Sequence, residues 1–452
     1  MSYLPHTADD RSHMLQTIGA ASVEDLLQPI PERLRLLRPL KLPEAQNEYD
    51  LLQHMKALAA ANTDVGANIF VGGGAYNHFI PAVTEMVTSR SEFLTAYTPY
   101  QAEASQGTLQ TIFEYQTMIC RLTGMDVANA SVYDGGTAAA DALIMAANKT
   151  RRRLVYVSQA VNPQVRQVIA TYLAGSDIEV RELPIEQGMT VLPELTKEVA
   201  AVMVQIPNFF GIVEDGPSFC AKVREAGALP IVAVGDAVSL AMLEAPANYG
   251  AAICCGDAQA LGLPLSFGGP YCGFLACKQE LMRNIPGRLV GITEDRHGKR
   301  GYCLTLQARE QHIRREKAAS NICSNQGLCA LAVTVYLSLV GPKGLQQVAR
   351  GSKLAADALK KALGAIDGFS VEFAAPTFNE FVLRCPKGRA GEILDYLAQH
   401  GIIGGCALGQ DYPELSDCLL LCCTELTKPE AVERYAALLR SWVSENAQEG
   451  KA

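Results

Sequence analysis

Two stretches in the middle of the chain carry residue types that could hold a small charged ligand. Gly135, Gly136 and Thr137 precede a predicted helix over 138–148. The free N–H groups of a helix start, together with a hydroxyl, can bind an oxyanion. Asp236 follows the apolar run 229–235, so the end of a predicted strand delivers a carboxylate that could pair with a cationic nitrogen. For the glycine pair, the alternative is an ordinary turn before a helix.

A third stretch is unusually polar and aromatic. Pro99 lies within this stretch and Gly107 follows it. One interpretation is therefore a structural turn whose hydroxyl groups bond only to nearby backbone atoms. Buried polar side chains need ligands or hydrogen-bond partners, so the other interpretation is a cluster that faces a cleft and supports an active site. The side chains concerned are Tyr97, Thr98, Tyr100, Gln101, Ser105 and Gln106.

The order of the first two groups, an anion cup and then an acid, resembles that of aspartate-aminotransferase-like enzymes, which bind pyridoxal phosphate. In that fold a lysine follows the acid and forms an imine with the cofactor. No lysine lies between Lys222 and Lys278, and the segment where it is expected, 257–262, reads DAQALG. Asn162 stands where an aromatic side chain or a histidine often stacks on the cofactor ring. We therefore expect a chain that cannot turn over alone and shares its function with a partner.

Seven motifs, in order along the chain, resemble those of subunit 1 of the bacterial P-protein family of the glycine cleavage system. The resemblance runs from about residue 16 to beyond residue 344, with weaker matches to the end. The motifs are FVGGGAYNH (70–78), EFLTAYTPYQ (92–101), SQG (105–107), FEYQ (113–116), NASVYD (129–134), LSFGGPY (265–271) and RREKAASNIC (314–323).

The resemblance implies an α/β fold of the aspartate-aminotransferase-like class (pyridoxal-phosphate-dependent transferase fold type I). It has a large mixed or parallel-sheet domain and a smaller C-terminal α/β domain. It also implies a heterotetramer in which a homologous subunit 2 carries the lysine-bound cofactor. This chain then holds no catalytic residue, and Gly135, Gly136, Thr137 and Asp236 form a vestigial cup. The complex is an oxidoreductase that turns glycine and the lipoylated H-protein into carbon dioxide and an aminomethylated lipoyl arm.

Apolar runs alternate with helical segments between about residues 129 and 278, which predicts parallel strands joined by crossover helices. The predicted domains are an N-terminal helical arm at 1–62, a large domain at 63–340 and a small α/β domain at 341–452. Strands are predicted at 154–158, 180–183, 201–206, 230–235, 251–255, 272–277, 378–384 and 418–423, and helices at 136–148, 164–173, 218–226, 343–363, 390–400 and 429–444.

The composition argues against several classes of protein. The 452 residues are 49% apolar and 19% charged, as in a globular chain, and the net charge of -8 favours neither nucleic acid nor an anionic membrane as partner. The longest apolar run, 328–340, is too short for a membrane helix and predicts a buried helix that stops at Gly341. Fourteen cysteines without a CxxC pair, and an N-terminus unlike a secretory or transit signal, indicate a reducing cytoplasm and no metal site.

Two further segments of the sequence each allow a structural and a functional interpretation. Residues 72–74, three glycines, predict a flexible connection, with close approach to a ligand as the alternative. The local excess of basic side chains at Arg288, Arg296, Lys299, Arg300, Arg309, Arg314 and Arg315 predicts a solvated face, with docking of an acidic H-protein as the alternative. Two other functions stay open: a self-sufficient pyridoxal-phosphate enzyme with its lysine elsewhere, and a structural or regulatory chain without chemistry.

Overall fold

The computed structural model describes residues 5–36, 38–62, 66 and 68–449, and it divides into two compact units, Met1–Thr63 and Asp64–Ala452. The first unit has two helices, α1 (Ala8–Ile18) and α2 (Glu48–Ala60). Between them, the backbone N–H groups of Ser22 and Asp25 each donate to the side chain of the other residue. None of the described residues in these helices is buried, so they build no core within this unit.

The second unit contains the remaining helices and all the strands of the described residues. Its helices are α3 (Ala82–Thr88), α4 (Ser91–Leu94), α5 (Gln106–Thr123), α6 (Gly135–Thr150), α7 (Pro163–Leu173), α8 (Gly216–Glu225), α9 (Gln311–Arg314), α10 (Gly327–Leu363), α11 (Ala390–Gln399) and α12 (Pro429–Glu449). Its strands are β1 (Val127–Ala128), β2 (Leu154–Ser158), β3 (Glu179–Leu183), β4 (Ile185–Glu186), β5 (Met189–Thr190), β6 (Val199–Gln205), β7 (Leu229–Val234), β8 (Ile253–Asp257), β9 (Gly273–Cys277), β10 (Leu289–Glu294), β11 (Arg300–Thr305), β12 (Ser370–Val371), β13 (Glu380–Arg384), β14 (Cys406–Ala407) and β15 (Cys418–Cys422).

The main sheet has seven strands in the order β1-β9-β8-β7-β6-β2-β3. Strands β3, β2, β6, β7 and β8 are mutually parallel, because crossover segments that include α7 and α8 return the chain to the same edge. The expectation of parallel strands is wrong for β9, which runs antiparallel to β8. Only residues 258–272 join these two strands, and they contain no helix to cross back over the sheet.

A smaller antiparallel sheet, in the order β12-β13-β15-β14, forms near the C-terminus. Its apolar side chains pack with those of α11, α12 and the second half of α10, in a cluster that includes Phe381, Leu421 and Tyr435. The hairpin β10–β11 and the short pair β4–β5 lie outside both sheets and were not predicted. The division of this unit at residue 341 stays a prediction.

Helix α10 is the one helix of the described residues that is long and apolar enough to cross a membrane by length and composition. Its first half contributes Ala330, Val333 and Tyr336 to the same core as Tyr115 and Ile119 of α5, as a core helix does. The backbone leaves helical geometry at Gly341, with φ of 58°, which confirms the predicted stop, although the helix resumes beyond it.

Candidate functional site

Asp236 comes directly after β7 and is buried at the carboxyl edge of the parallel strands. Its Oδ1 accepts a hydrogen bond from the backbone N–H of Val238 at 2.9 Å. Its Oδ2 accepts from Nδ2 of Asn379 at 2.7 Å and lies 3.2 Å from Nε2 of His78. The acid predicted to pair with a cofactor ring is therefore already bonded to side chains of its own chain.

His78 lies between two carboxylates. Its Nδ1 is 2.7 Å from Oε2 of Glu425, while its Nε2 faces Asp236. Burial alone would lower the pKa of this imidazole, but the charges and hydrogen bonds of Asp236 and Glu425 raise the pKa to about 10. His78 is thus an imidazolium at neutral pH, and it supplies beside Asp236 the positive charge that a pyridinium nitrogen would supply.

Glu380, at the start of β13, is buried against the glycine-rich segment. Its Oε1 accepts from the N–H of Gly73 at 2.6 Å, and its Oε2 accepts from the hydroxyl of Tyr76 at 3.0 Å. Burial raises the pKa of Glu380 to about 8. A Cβ on Gly72 would lie 2.3 Å from Oε1 of Glu380. Glycine at residue 72 permits a close approach to a side chain of this chain and not to a ligand, and the flexible connection stays a prediction.

Residues 72–78, which we call the plug, run across the ends of several parallel strands. The backbone N–H and carbonyl of Tyr76 bond to the side chain of Gln259, which follows β8, at 2.8 and 3.0 Å. Nδ2 of Asn162, which follows β2, donates to the carbonyl of Gly73 at 2.7 Å. Ligands of open α/β sheets bind in the crevice beyond the carboxyl ends of the strands. The plug fills this crevice with protein atoms.

The predicted cup begins α6, as expected, but the N–H groups of Gly135 and Thr137 are already in use. The N–H of Thr137 donates to Oδ1 of Asp134 at 2.8 Å, and the N–H of Asp134 donates to the hydroxyl of Thr137 at 3.1 Å. The N–H of Gly135 donates to Oδ2 of Asp257 at 2.9 Å, and Gly136 is buried. Burial raises the pKa of Asp257 to about 6, although three backbone N–H groups oppose the shift. Two carboxylates therefore stand where a phosphate would bind.

These residues do not fit pyridoxal phosphate. No amine is available between Lys222 and Lys278 to hold the cofactor. A ligand phosphate would have to displace Asp257 from the start of α6, and a ring nitrogen would have to displace the imidazolium of His78 from Asp236. Within the described ranges, no group of three or more His, Cys, Asp or Glu side chains could hold a metal ion.

The polar cluster predicted at 97–106 lies beside the β10–β11 hairpin. The amide of Gln106 both donates to and accepts from the backbone of Tyr302 at 2.9 Å, so it joins α5 to β11. Tyr97 is 81% exposed and Tyr100 is 53% exposed. Gln101 is also exposed, while Thr98 and Ser105 are half-buried. The structure therefore brings three of the six side chains to the surface and places Gln106 in an internal contact.

Arg288 contradicts the expected solvated face, since its side chain is only 1% exposed. Its Nη2 donates to the hydroxyl of Tyr100 at 3.0 Å, and its Nε lies 3.8 Å from Oε2 of Glu310. Its Nε and Nη1 are buried without a hydrogen-bond partner. The position of Arg288 inside the apolar run 285–290 was the available signal for burial.

The two sheets, with a crevice at the carboxyl ends of parallel strands, define the architecture of pyridoxal-phosphate-dependent transferases of fold type I. A mutant of C-DES with glycine linked to its PLP cofactor has the same fold, with a TM-score of 0.61 at 16% identity over 85% of this chain and 97% of that one. The glycine cleavage system P-protein family matches residues 1–439, and this chain belongs to it.

Individual relatives agree with that assignment. The glycine dehydrogenase (decarboxylating) subunit 1 of Desulforamulus reducens is 48% identical over 97% of this chain and 99% of its own length. The solved structure of glycine decarboxylase, the P-protein of the glycine cleavage system, in inhibitor-bound form, has a TM-score of 0.89. That protein is 44% identical, over 98% of this chain and 100% of the other. The predicted fold class and family are confirmed.

Proposed function

We propose that this chain is the lysine-less subunit of a two-chain glycine decarboxylase, the aminomethyl-transferring glycine dehydrogenase. With a homologous subunit 2 that carries pyridoxal phosphate, it decarboxylates glycine and passes the aminomethyl group to the lipoyl arm of the H-protein in the cytoplasm. The reaction is an oxidoreduction because the disulfide of that arm is reduced. The observation that best supports this division of labour is the crevice filled by the plug, with no lysine from 223 to 277.

In this complex the residues of this chain bind and orient. We place Tyr97, Thr98, Tyr100, Gln101 and Ser105 at the shared cleft, where they support the partner's active site. Because Arg288 donates to the oxygen of the Tyr100 hydroxyl at 3.0 Å, the hydroxyl proton is left to donate outward, for example to a carboxylate. We assign Gln106 to positioning α5 on β11.

The N-terminal unit supports an assembled state. The described residues of α1 and α2 are not buried, yet the unit exposes large apolar side chains. An extended apolar surface on an isolated chain marks an interaction site. We assign it to contact with subunit 2 in a heterotetramer. The exposed side chains include Ile18, Leu34, Leu40, Leu42, Leu51 and Met55.

The two alternatives are less well supported. A self-sufficient enzyme would need a free ring acid and a free helix start, but Asp236 and Gly135 are both bonded within the chain. A purely structural or regulatory chain would explain the filled crevice equally well. This second alternative is disfavoured because relatives of almost the same length are named as a subunit of the enzyme.

The experiment is reconstitution from separately purified chains. Exchange of the glycine carboxyl group with bicarbonate should be absent with this chain plus added cofactor and present once subunit 2 is added. A subunit 2 variant whose cofactor-binding lysine is replaced by alanine is the matched control, and it should leave the assembled complex inactive. Borohydride reduction that fixes the cofactor to a lysine of this chain would contradict the proposal.

A further inference from the structure

Unsatisfied polar atoms concentrate in one region outside the crevice. Among the described residues, eight buried side-chain nitrogen or oxygen atoms have no hydrogen-bond partner. Four of the eight are guanidinium nitrogens, two on Arg288 and two on Arg309. Buried polar groups are almost always hydrogen-bonded in folded proteins, so a cluster of exceptions indicates a missing partner such as an ion.

A cavity of about 260 Å³ is lined by Arg309 and Glu310, whereas Arg288 is not part of its lining. Four cationic side chains line it, Arg283, Arg309, Arg314 and Lys317, against one carboxylate, that of Glu310. The lining charge is therefore +3, whereas the whole chain carries -8. Such a local reversal of sign attracts anions.

Arg309 is held in place at this cavity. Its Nη1 donates to the carbonyl of Gly287 at 2.6 Å and also to that of Ile285. Its Nε and Nη2 are buried and unpartnered. A half-buried guanidinium with three unused N–H groups, one on Nε and two on Nη2, is costly unless an anion compensates it. Guanidinium forks match the geometry of phosphate and carboxylate oxygens.

We propose that this cavity binds an oxyanion of the phosphate class. Its volume lies below the range of about 300–1,000 Å³ for drug-sized ligands, so it suits a small anion or the terminal phosphate of a larger molecule. The anion is either free in solution or a phosphate group carried by the partner subunit.

Calorimetric titration of inorganic phosphate into the full chain alone, at constant ionic strength, tests the site without any dependence on the proposed partner. Saturable binding is expected, and Arg309→Gln and Lys317→Gln should each weaken it by about tenfold, since each removes a charge-assisted contact. Lys299→Gln, an exposed cation in the turn between β10 and β11, is the matched control and should bind normally.

Lys317 is exposed, so Lys317→Gln keeps the test valid even if Arg309→Gln fails to fold. Absence of phosphate binding by the wild-type chain overturns the proposal. The proposal is also overturned if Lys317→Gln binds phosphate as tightly as the wild-type chain and any Arg309 variant that folds does the same.

A second titration identifies the source of the anion, and it rests on the proposed function. The assembled complex is prepared once with cofactor-loaded subunit 2 and once with subunit 2 from which the cofactor has been removed. Phosphate is then titrated into each complex. Phosphate binding retained in both complexes assigns the cavity to a free anion. Binding lost only with the loaded partner assigns the cavity to the partner's phosphate group. Binding lost with both means that the partner chain itself covers the cavity, and the phosphate assignment is then overturned for the complex.

Discussion

Nε2 of His78 lies 3.2 Å from Oδ2 of Asp236, an acid 158 residues further along the chain. The contact joins the plug to the end of β7 and places a cation of the protein beside the acid predicted to pair with a cofactor ring. The same imidazole also contacts Glu425 at 2.7 Å. One imidazolium therefore contacts a carboxylate on each side.

Replacing His78 by alanine should destabilise the chain strongly. The variant His78→Ala leaves the carboxylates of Asp236 and Glu425 buried without their shared cation, and breaking a buried pair costs about 3–5 kcal/mol. Urea unfolding of the purified chain measures this loss. The matched control, His54→Ala on the exposed face of α2, should change the unfolding free energy by less than about 0.5 kcal/mol. Equal stability of the two variants would contradict the assigned ion pairs.

The stability of the chain should fall as pH rises through the neutral range. The pKa of Glu380 is raised from 4.5 to about 8, so the native state holds a proton that the unfolded chain has lost in this window. The stabilisation that the Glu380 proton contributes is complete below pH 4.5 and is lost as pH rises through about 8. Glu380→Gln mimics the protonated carboxyl and should remove the part of this slope that Glu380 contributes, while the raised pKa values of Asp257 and His78 keep the remainder. Parallel pH profiles for wild type and variant in urea unfolding would refute the shift.

A methyl group at position 72 should not be tolerated. In Gly72→Ala the new Cβ would lie 2.3 Å from Oε1 of Glu380 and 2.7 Å from Cβ of Cys422. Overpacking of this kind costs about 1–3 kcal/mol. Thermal unfolding measures the effect. Gly107→Ala is the control, since nothing lies within 4 Å of its Cβ and it lies in the first turn of α5. That variant should melt at or slightly above the wild-type temperature, and a lower melting point for it would undermine the comparison.

Gln101 should matter for turnover and not for folding. Its side chain is exposed in the isolated chain, so Gln101→Ala should leave melting temperature and assembly nearly unchanged. If the amide supports the shared cleft, turnover of the assembled complex should fall about tenfold, or 1.4 kcal/mol. Gln110→Ala, an exposed glutamine on α5, is the matched control. Normal turnover with weakened assembly in Gln101→Ala would make the cluster structural.

Charges placed on α2 should block assembly. Leu51 and Met55 are 48% and 55% exposed and lie four residues apart on one helix face. The double change Leu51→Asp and Met55→Asp should leave the monomer's unfolding free energy close to that of wild type. It should weaken association with subunit 2 by tenfold or more, since each buried charge needs a partner. Sedimentation of the mixed chains provides the measurement, and Gln53→Asp on the same helix is the control. Unchanged association would remove α2 from the interface.

Local patterns in the sequence were enough to predict the strands and helices around the crevice. Runs such as 154–158 and 201–206 are mostly apolar because the strands are buried on both faces, and all six strands predicted between 129 and 278 are present. The missing lysine was likewise visible in the sequence. Strand β9 was assigned the wrong direction, although the short helix-free link from β8 could have indicated an antiparallel return.

The contents of the crevice could not be predicted in the same way. Tyr76 and Glu380 are 304 residues apart, and His78 and Glu425 are 347 apart, so no local periodicity relates them. The motif 70–78 contained both Tyr76 and His78, but a single sequence gives no distance between segments. Arg288 was different, because a lone cation inside an apolar run is itself a sign of burial.

The plug also determines how the two sheets of this chain can move. Asp236 follows strand β7 of the main sheet, whereas Glu380 begins strand β13 of the small sheet, and both bond to the plug. Ligand-driven closure in two-layer enzymes needs such layers to shift relative to one another. Here that shift would break a buried imidazolium–carboxylate pair. In the proposed complex we therefore expect the two sheets of this subunit to keep their relative positions through the catalytic cycle.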